Sequence, residues 1–352
     1  MKDGNGSAVG RNPLLARLKR DSDEIRLLVI FAVSFLTMTL LAPNIFFTKK
    51  YLVSMASLFP EYGILAFAMM LAMVSGGIDL SVVATANFSG ILAIKFLIQF
   101  YPAGAPVLVT ALFLAAVALI AVTVGALCGM FISFLIARIG IPPMLATLGG
   151  GDLIMGASLI ITRGSSVNGI PGFFAEAGTK VLFGFLPVTL VVFAVCALIV
   201  SHALSRTSYG LKLKMMGSNP TASRFSGIDN KRIIFQTYTL GGMLSAVSGL
   251  LMISRANSGR ADYGKSYVMQ AIIICVLGGT NPNGGFGKVG GVVIAILILQ
   301  VLSSGFNMFP QVSNFYRSII WGAVLLLAMI YNHISGAYRM KKMAREAAGK
   351  EG

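Results

Sequence analysis

Residues 106–137 read PVLVTALFLAAVALIAVTVGALCGMFISFLIA, without one charged side chain. A bilayer core takes about 20 helical residues. The stretch exceeds that length, so it reads as a membrane helix that tilts or emerges from the lipid still helical. Lipid offers no hydrogen bonds to a backbone, and a helix satisfies its own. The rest of the chain agrees. Of 352 residues, 56% are hydrophobic and 11% charged, and the mean hydropathy is +0.82. Soluble domains carry about 25% charged residues. The fold class is therefore all-α, a polytopic membrane protein.

Working outward, the same ruler marks about ten spans, roughly 25–42, 60–76, 80–100, 106–137, 143–162, 183–204, 233–254, 267–279, 289–305 and 317–334. The segment 267–279 is short and its flanks are glycine-rich, so it is expected to be broken or half-spanning. Segment 44–59 is expected to form an interfacial helix. Residues 1–24 make a polar N-terminal tail, with no apolar segment and cleavage site to mark a secretory signal. The membrane body covers 25–335, and 336–352 is a basic C-terminal tail. Ten spans place both termini on one side. Taking that side as the cytoplasm gives it 19 of the 28 Lys and Arg residues. That asymmetry favours cytoplasmic N and C termini. Lys49 and Lys50 run against it. Lys95 is expected to snorkel toward the edge at Tyr101 and Pro102.

The formal charge is +16. The bases lie in short loops and tails beside apolar runs, which is a membrane-topology pattern and not a nucleic-acid surface. Cys128, Cys196 and Cys275 sit in apolar runs without a CxxC partner, so neither a disulfide framework nor a zinc site is expected. His202 and His333 lie near the ends of apolar runs and read as interfacial. GFGKVG at 285–290 fits GxGxxG, but a membrane span follows where a dinucleotide fold needs its βαβ unit. Gly287-Lys288 resembles the end of a phosphate-binding loop. Pro282 occupies the first glycine position, however, and Val289 replaces the Ser/Thr that would hold Mg²⁺. There is no HExxH, no GxSxG and no catalytic pair inside the spans. No enzymatic role and no cofactor is expected for this chain.

The loop 205–232 is the longest between spans on the basic side, and it contains GSNPTASRFSGI at 217–228. Asn219 suits an N-cap and Pro220 suits the first helical position. Gly227 suits the left-handed residue after the helix, with Ile228 folding back in a Schellman contact. A two-turn helix over 220–226 follows. It is too short to be stable alone. Its exposed Ala222 and Phe225 need a surface, either a partner subunit or the membrane face. A candidate internal repeat also emerges. An apolar run ending in Gly76-Gly77, then Ile-Asp-Leu-Ser, recurs as a run ending in Gly278-Gly279, then Thr-Asn-Pro-Asn-Gly-Gly. Glycine-interrupted pairs of this kind are a feature of transporters.

Three stretches give the chain a family likeness: SGGIDLS at 75–81, IPPMLATLG at 141–149, and the 217–228 loop followed by VLGGT at 276–280 and GGFG at 284–287. In that order and spacing the chain resembles the permease subunits of bacterial ABC importers for ribose, xylose, arabinose and related sugars, over about residues 25–335. The resemblance implies two permease copies, two copies of an ATPase that binds ATP and Mg²⁺, and a periplasmic binding protein that delivers the sugar. It implies that 217–228 is the coupling helix seated in the ATPase, with Gly217, Ser218, Asn219, Pro220, Ala222, Arg224, Phe225 and Gly227 as its residues. It also places the protein in the inner membrane. The sequence departs from the family in two places. Met155 stands where the family often has arginine, with Asp152 just before it. Val268 and Gln270 replace an acidic pair.

Polar groups in or near spans are the candidates for the solute path: Asp152, Asn87, Ser89, Asn257, Ser303, Ser304 and Asn307. Asp79 is expected to N-cap the following helix. Arg163 lies eleven residues beyond Asp152, about 16 Å along a helix, too far for a direct pair. Two other classes compete with the importer subunit. One is an ion-driven secondary transporter, which needs mid-membrane acids as ion ligands. The other is a membrane scaffold without transport.

Overall fold

The computed structural model describes residues 13–308 except 42, 47 and 103, together with 319, 322 and 323. Apart from those last three positions, the expected span 317–334, with His333, lies outside the described residues, as does the tail 336–352. The elements run α1 (Pro13–Leu41), α2 (Pro43–Phe46), α3 (Lys49–Val74), α4 (Val82–Phe100) and α5 (Val107–Phe134), the last extended by a π-helical turn over Leu135–Ile139. Then come α6 (Pro143–Thr162), α7 (Gly172–Thr179), a hairpin of β1 (Val181–Leu182) and β2 (Leu186–Pro187), and α8 (Val188–Arg206). The remainder is α9 (Ser208–Ser218), α10 (Pro220–Phe225), α11 (Asn230–Ala256), α12 (Ser266–Leu277) and α13 (Val289–Phe306).

Eight described helices are long and apolar enough to cross a membrane: α1, α3, α4, α5, α6, α8, α11 and α13. At 12 residues α12 spans about 18 Å, short of a core of about 30 Å, as its glycine-rich flanks foretold. Four expectations need correction. Segment 44–59 is no separate interfacial helix, because from Lys49 it is the first part of α3. Proline removes one backbone donor and ordinarily ends a helix. Here burial of Phe59, Tyr62, Ile64 and Leu65 holds α3 straight through Pro60. Helix α1 begins at Pro13, inside the expected tail. The span expected from 183 starts at Val188, after a hairpin whose Phe183 and Gly184 both take positive φ. The loop 205–232 is mostly helical, holding α9 as well as α10.

The core is organised around α3. In α3, 89% of the membrane-length window is buried, against 11% in α1 and in α5. So α3 meets protein on nearly every side while α1 and α5 turn most of their faces outward. Helix α11 packs on α3, α4 and α5. It approaches α5 backbone to backbone, where a methyl on Gly129 would strike the Tyr238 carbonyl and one on Gly125 the Gly242 carbonyl, and α4 likewise, where one on Gly249 would strike the Ala86 carbonyl. Without a hydrophobic drive between helices in lipid, such small-residue faces let dispersion and polar contacts hold them together. The three cysteines are buried and unpaired.

Candidate functional site

Helix α10 has both caps that its sequence calls for. Asn219 Oδ1 accepts from the Ala222 N–H at 2.9 Å, and Pro220 is the first helical residue. At the other end the Ile228 N–H donates to Ser223 O at 3.1 Å and the Gly227 N–H to Arg224 O at 3.0 Å, with Gly227 at φ +78°. These two bonds are the Schellman pair. Ser223 is the buried residue of the helix, and its Oγ is 2.9 Å from Asn230 Oδ1 at the start of α11. Asn230 Nδ2 in turn donates to Pro220 O at 2.8 Å. Helix α10 is thus fixed to α11 while its tip faces outward. Phe225 is 90% exposed, and Ala222 and Arg224 are exposed beside it.

The root of this peg is a junction of glycine backbones. The Gly285 N–H donates to Val74 O, the last residue of α3, at 2.9 Å. A methyl on Gly217 would collide with both of those groups, and one on Gly284 would collide with Gly217 O and approach Gly76 Cα. Ser218 closes the corner, its Oγ donating to Lys214 O at 2.9 Å. Three chain segments therefore meet without intervening side chains: the end of α3, the end of α9 and the loop from α12 to α13. The motif at 141–149 joins them, since Thr147 Oγ1 donates to Ile78 O at 3.0 Å. The stretches that carry the family likeness gather at this one end of the molecule.

The candidate repeat has matching geometry. Gly76 N–H donates to Met73 O and Gly77 N–H to Ala72 O, while Gly279 N–H donates to Val276 O and Thr280 N–H to Cys275 O. Gly76 and Gly279 take φ of +90° and +81°. Both turns are Schellman motifs, with the register one residue from that expected: Gly76 corresponds to Gly279, and Gly278 to Ser75. They lie near one another at the same end of the molecule. Asp79 does not cap α4. Its Oδ1 accepts from the N–H of Ser81 at 2.9 Å and from its hydroxyl at 2.5 Å, which orders the chain entering α4. Asp79 is buried, and the first-turn amides of α4 receive no side-chain cap.

Toward the opposite end α3 carries a feature the sequence reading missed. Glu61 is fully buried and ion-paired with Arg255 at the end of α11, through Arg255 Nε to Oε1 and Nη2 to Oε2 at 2.9 Å. Tyr267 Oη donates to Oε2 at 3.2 Å, and Arg255 Nη2 also reaches Tyr263 Oη at 2.9 Å. The expected span began at 60 and put Glu61 at the membrane edge, where an acid attracts no notice.

The path candidates do not assemble into one channel. Asn87 is buried and its amide donates to Ala261 O and Tyr263 O at 3.0 and 2.8 Å, so it anchors the segment after α11. The Ser89 hydroxyl is spent on Thr85 O at 2.7 Å. Asn257 caps α11 in the left-handed conformation. Ser303 and Asn307 are at the end of α13, and Ser304 there accepts from Gln300 at 2.7 Å. Asp152 is exposed midway along α6 and lines a cavity with Met155 and Val268, two of the positions where the sequence departs from its family. Lys95 reaches Ile161 O at 2.9 Å, satisfying a carbonyl at the end of α6, and does not run to Tyr101 as expected. His202 is exposed near the end of α8. Among the described residues no group of His, Cys, Asp or Glu could hold a metal ion.

The fold is that of a polytopic helical membrane protein with a short exposed helix at one end, and sequence comparison identifies its class. Over residues 51–329 the chain matches the family described as branched-chain amino acid transport system / permease component, and it belongs to that family. The Autoinducer 2 import system permease protein LsrD of Yersinia enterocolitica is 34% identical over 279 residues, covering 78% of this chain and 80% of that one. The protein of the same name from Yersinia pestis strain Pestoides F is 35% identical over 279 residues, with the same coverage. The one from Yersinia pseudotuberculosis strain YPIII is 34% identical. No solved structure matches the chain. The chain is the permease component of an ABC importer, a multi-pass protein of the inner membrane, and importers of this kind include an ATPase and a periplasmic binding protein. The family description and the relatives' names differ in solute, so membership fixes the role and leaves the solute to the site.

Proposed function

We propose that this chain forms half of the transmembrane path of an importer for a monosaccharide-like solute, with both termini in the cytoplasm. A second permease copy, or a related chain, supplies the other half. The ATPase holds ATP and Mg²⁺ and docks on α10, and the binding protein delivers solute at the opposite face. The chain itself performs no chemistry. The observation that carries this reading is Phe225: it is 90% exposed on a helix locked at both ends and rooted in the glycine junction. An aromatic ring held out rigidly in water has no folding benefit, and it is the residue type that anchors interfaces. Closure of the ATPase would displace α10 and, through Gly217, move α3 and the α12–α13 loop together. The relatives' printed solute, autoinducer 2, stands beside the sugar resemblance as support for a small imported molecule and against a bulk substrate.

The ion-driven alternative needs ion-ligating acids at mid-membrane. Glu61 is held by Arg255 and Tyr267 and is poorly placed to take up and release an ion, and Asp152, exposed midway along α6, lines its cavity without a second acid. Affinity purification in mild detergent tests the proposal and should recover an ATPase chain with the permease. Recovery of the permease alone, with uptake in ATP-free vesicles driven by an ion gradient, overturns it.

A further inference from the structure

Two cavities, of about 370 Å³ and about 220 Å³, lie between α6 and the segment 257–268 and share Met155, Ala261 and Lys265. Together they run from Asp152, midway along α6, past its end to Ser165 and Ser166. We propose that they form one solute cleft, with Asp152 and Lys265 as its charged poles, built for a small uncharged solute rich in hydroxyls. This rests on the importer reading and names the site through which its solute passes.

The charges come first. Arg260 and Asp262 also line the larger cavity, but they hold each other through two contacts of 3.1 Å. That hydrogen bonding keeps the Asp262 carboxyl below the usual carboxylate range, so the pair stays ionised and sums to zero. What remains is one carboxylate, Asp152, and one ammonium, Lys265. A cation or an anion entering the cleft meets one attractive pole and one repulsive pole. A neutral solute meets no such penalty.

Hydrogen-bond direction then selects among neutral solutes. The Thr162 hydroxyl donates to Ser158 O at 2.9 Å, and the Ser165 hydroxyl donates to Thr162 O at 2.8 Å. With their protons spent on backbone, both present lone pairs to the cavity. Asp152 accepts only, while Lys265 donates only. Lys265 and the Ser166 hydroxyl, which itself accepts from Asn168 Nδ2 at 3.1 Å, face these acceptors as donors, so the fitting ligand brings groups that both donate and accept, as hydroxyls do. An amino acid zwitterion also satisfies the two poles but leaves the Thr162 and Ser165 lone pairs without donors, and uptake of leucine against ribose separates the two classes. Met155, Leu159 and Val268 supply apolar wall for the C–H faces of a ring.

The outer wall is held from behind. Asn87 ties down the carbonyls of Ala261 and Tyr263, Arg255 ties the Tyr263 hydroxyl, and Val167 and Gly259 exchange backbone bonds of 2.8 and 2.9 Å. A wall fixed before the solute arrives spends little binding energy on ordering.

The test uses the whole importer, this chain with its ATPase and binding protein, in membrane vesicles supplied with ATP. Uptake of radiolabelled D-ribose and of L-leucine is measured separately. Asp152→Asn and Lys265→Met should each lower ribose uptake at least tenfold, while membrane accumulation and ATPase association stay at wild-type levels. Met155→Cys should transport until a bulky maleimide is added and then stop. Ribose uptake unchanged in all three overturns the cleft. Leucine uptake without ribose uptake in the wild type overturns the solute class and leaves the importer reading standing. Failure of the wild-type chain to associate with an ATPase strikes the importer reading itself.

Discussion

Helix α3 is held at two places by opposite means. At Val74 it meets Gly217 and Gly285 backbone to backbone, and any side chain there would be an obstruction. About 20 Å back along the helix, Glu61 is held by Arg255 and Tyr267 through side chains alone. A glycine junction transmits displacement by steric contact and has no charge state to lose. An ion pair with a fully buried carboxylate resists separation but depends on both partners being present. The two fastenings tie α3 at one end to the root of α10 and toward the other to the end of α11.

The largest effect should come from breaking the ion pair. Arg255→Met leaves the fully buried Glu61 uncompensated, at a cost of about 3–5 kcal/mol. Thermal unfolding in detergent should show it, and Glu61→Met with Arg255→Met should recover most of the loss. If the double variant is as unstable as the single one, the pair is not acting through its charge.

Next comes Phe225→Ala, with roughly 3 kcal/mol lost from association with the ATPase, as for a buried phenylalanine. The stability of the permease should not change, because the ring touches little of its own chain. Equal recovery of the ATPase with wild type and variant would mean that α10 lies on the lipid surface. Gly227→Val should weaken association by another route, since a β-branched residue at positive φ unwinds the cap that aims Phe225.

At the junction, Gly217→Ala should cost about 1–3 kcal/mol, the range for overpacking. Its neighbours there are backbone and cannot swing aside. No second substitution should rescue it, in contrast to Arg255→Met. Uptake and ATP hydrolysis measured together would sharpen the contrast, because a loosened junction should leave hydrolysis running with uptake reduced. The smallest effect belongs to Asn219→Ala, about 1 kcal/mol for one lost cap. It should be read as weaker ATPase recovery at normal membrane levels.

What could be read from sequence follows the same division. Helix α10 was legible to within one residue, ending at Phe225 where 226 was expected, because Asn219, Pro220 and Gly227 act on their own few neighbours. Helix α6 was legible because Pro143 opens it and the apolar run closes at Thr162. The start of α3 was misplaced by eleven residues, since Pro60 reads locally as a boundary and the packing that overrides it comes from distant helices. Asn87 looked like a pore group, yet its partners are carbonyls 174 and 176 positions away. The glycine junction was half visible: the motifs announced themselves, but their meeting did not.

The Glu61–Arg255 pair also sets a clock. Its members are 194 positions apart in the chain. At a synthesis rate of roughly 5–20 residues per second, Glu61 emerges about 10–40 s before the residue that neutralises it. During that interval α3 carries an unmatched carboxyl and cannot settle at the centre of the bundle. The central helix of the finished protein is therefore among the last to find its place, and a nascent chain stopped short of α11 should be recognised and removed by membrane quality control.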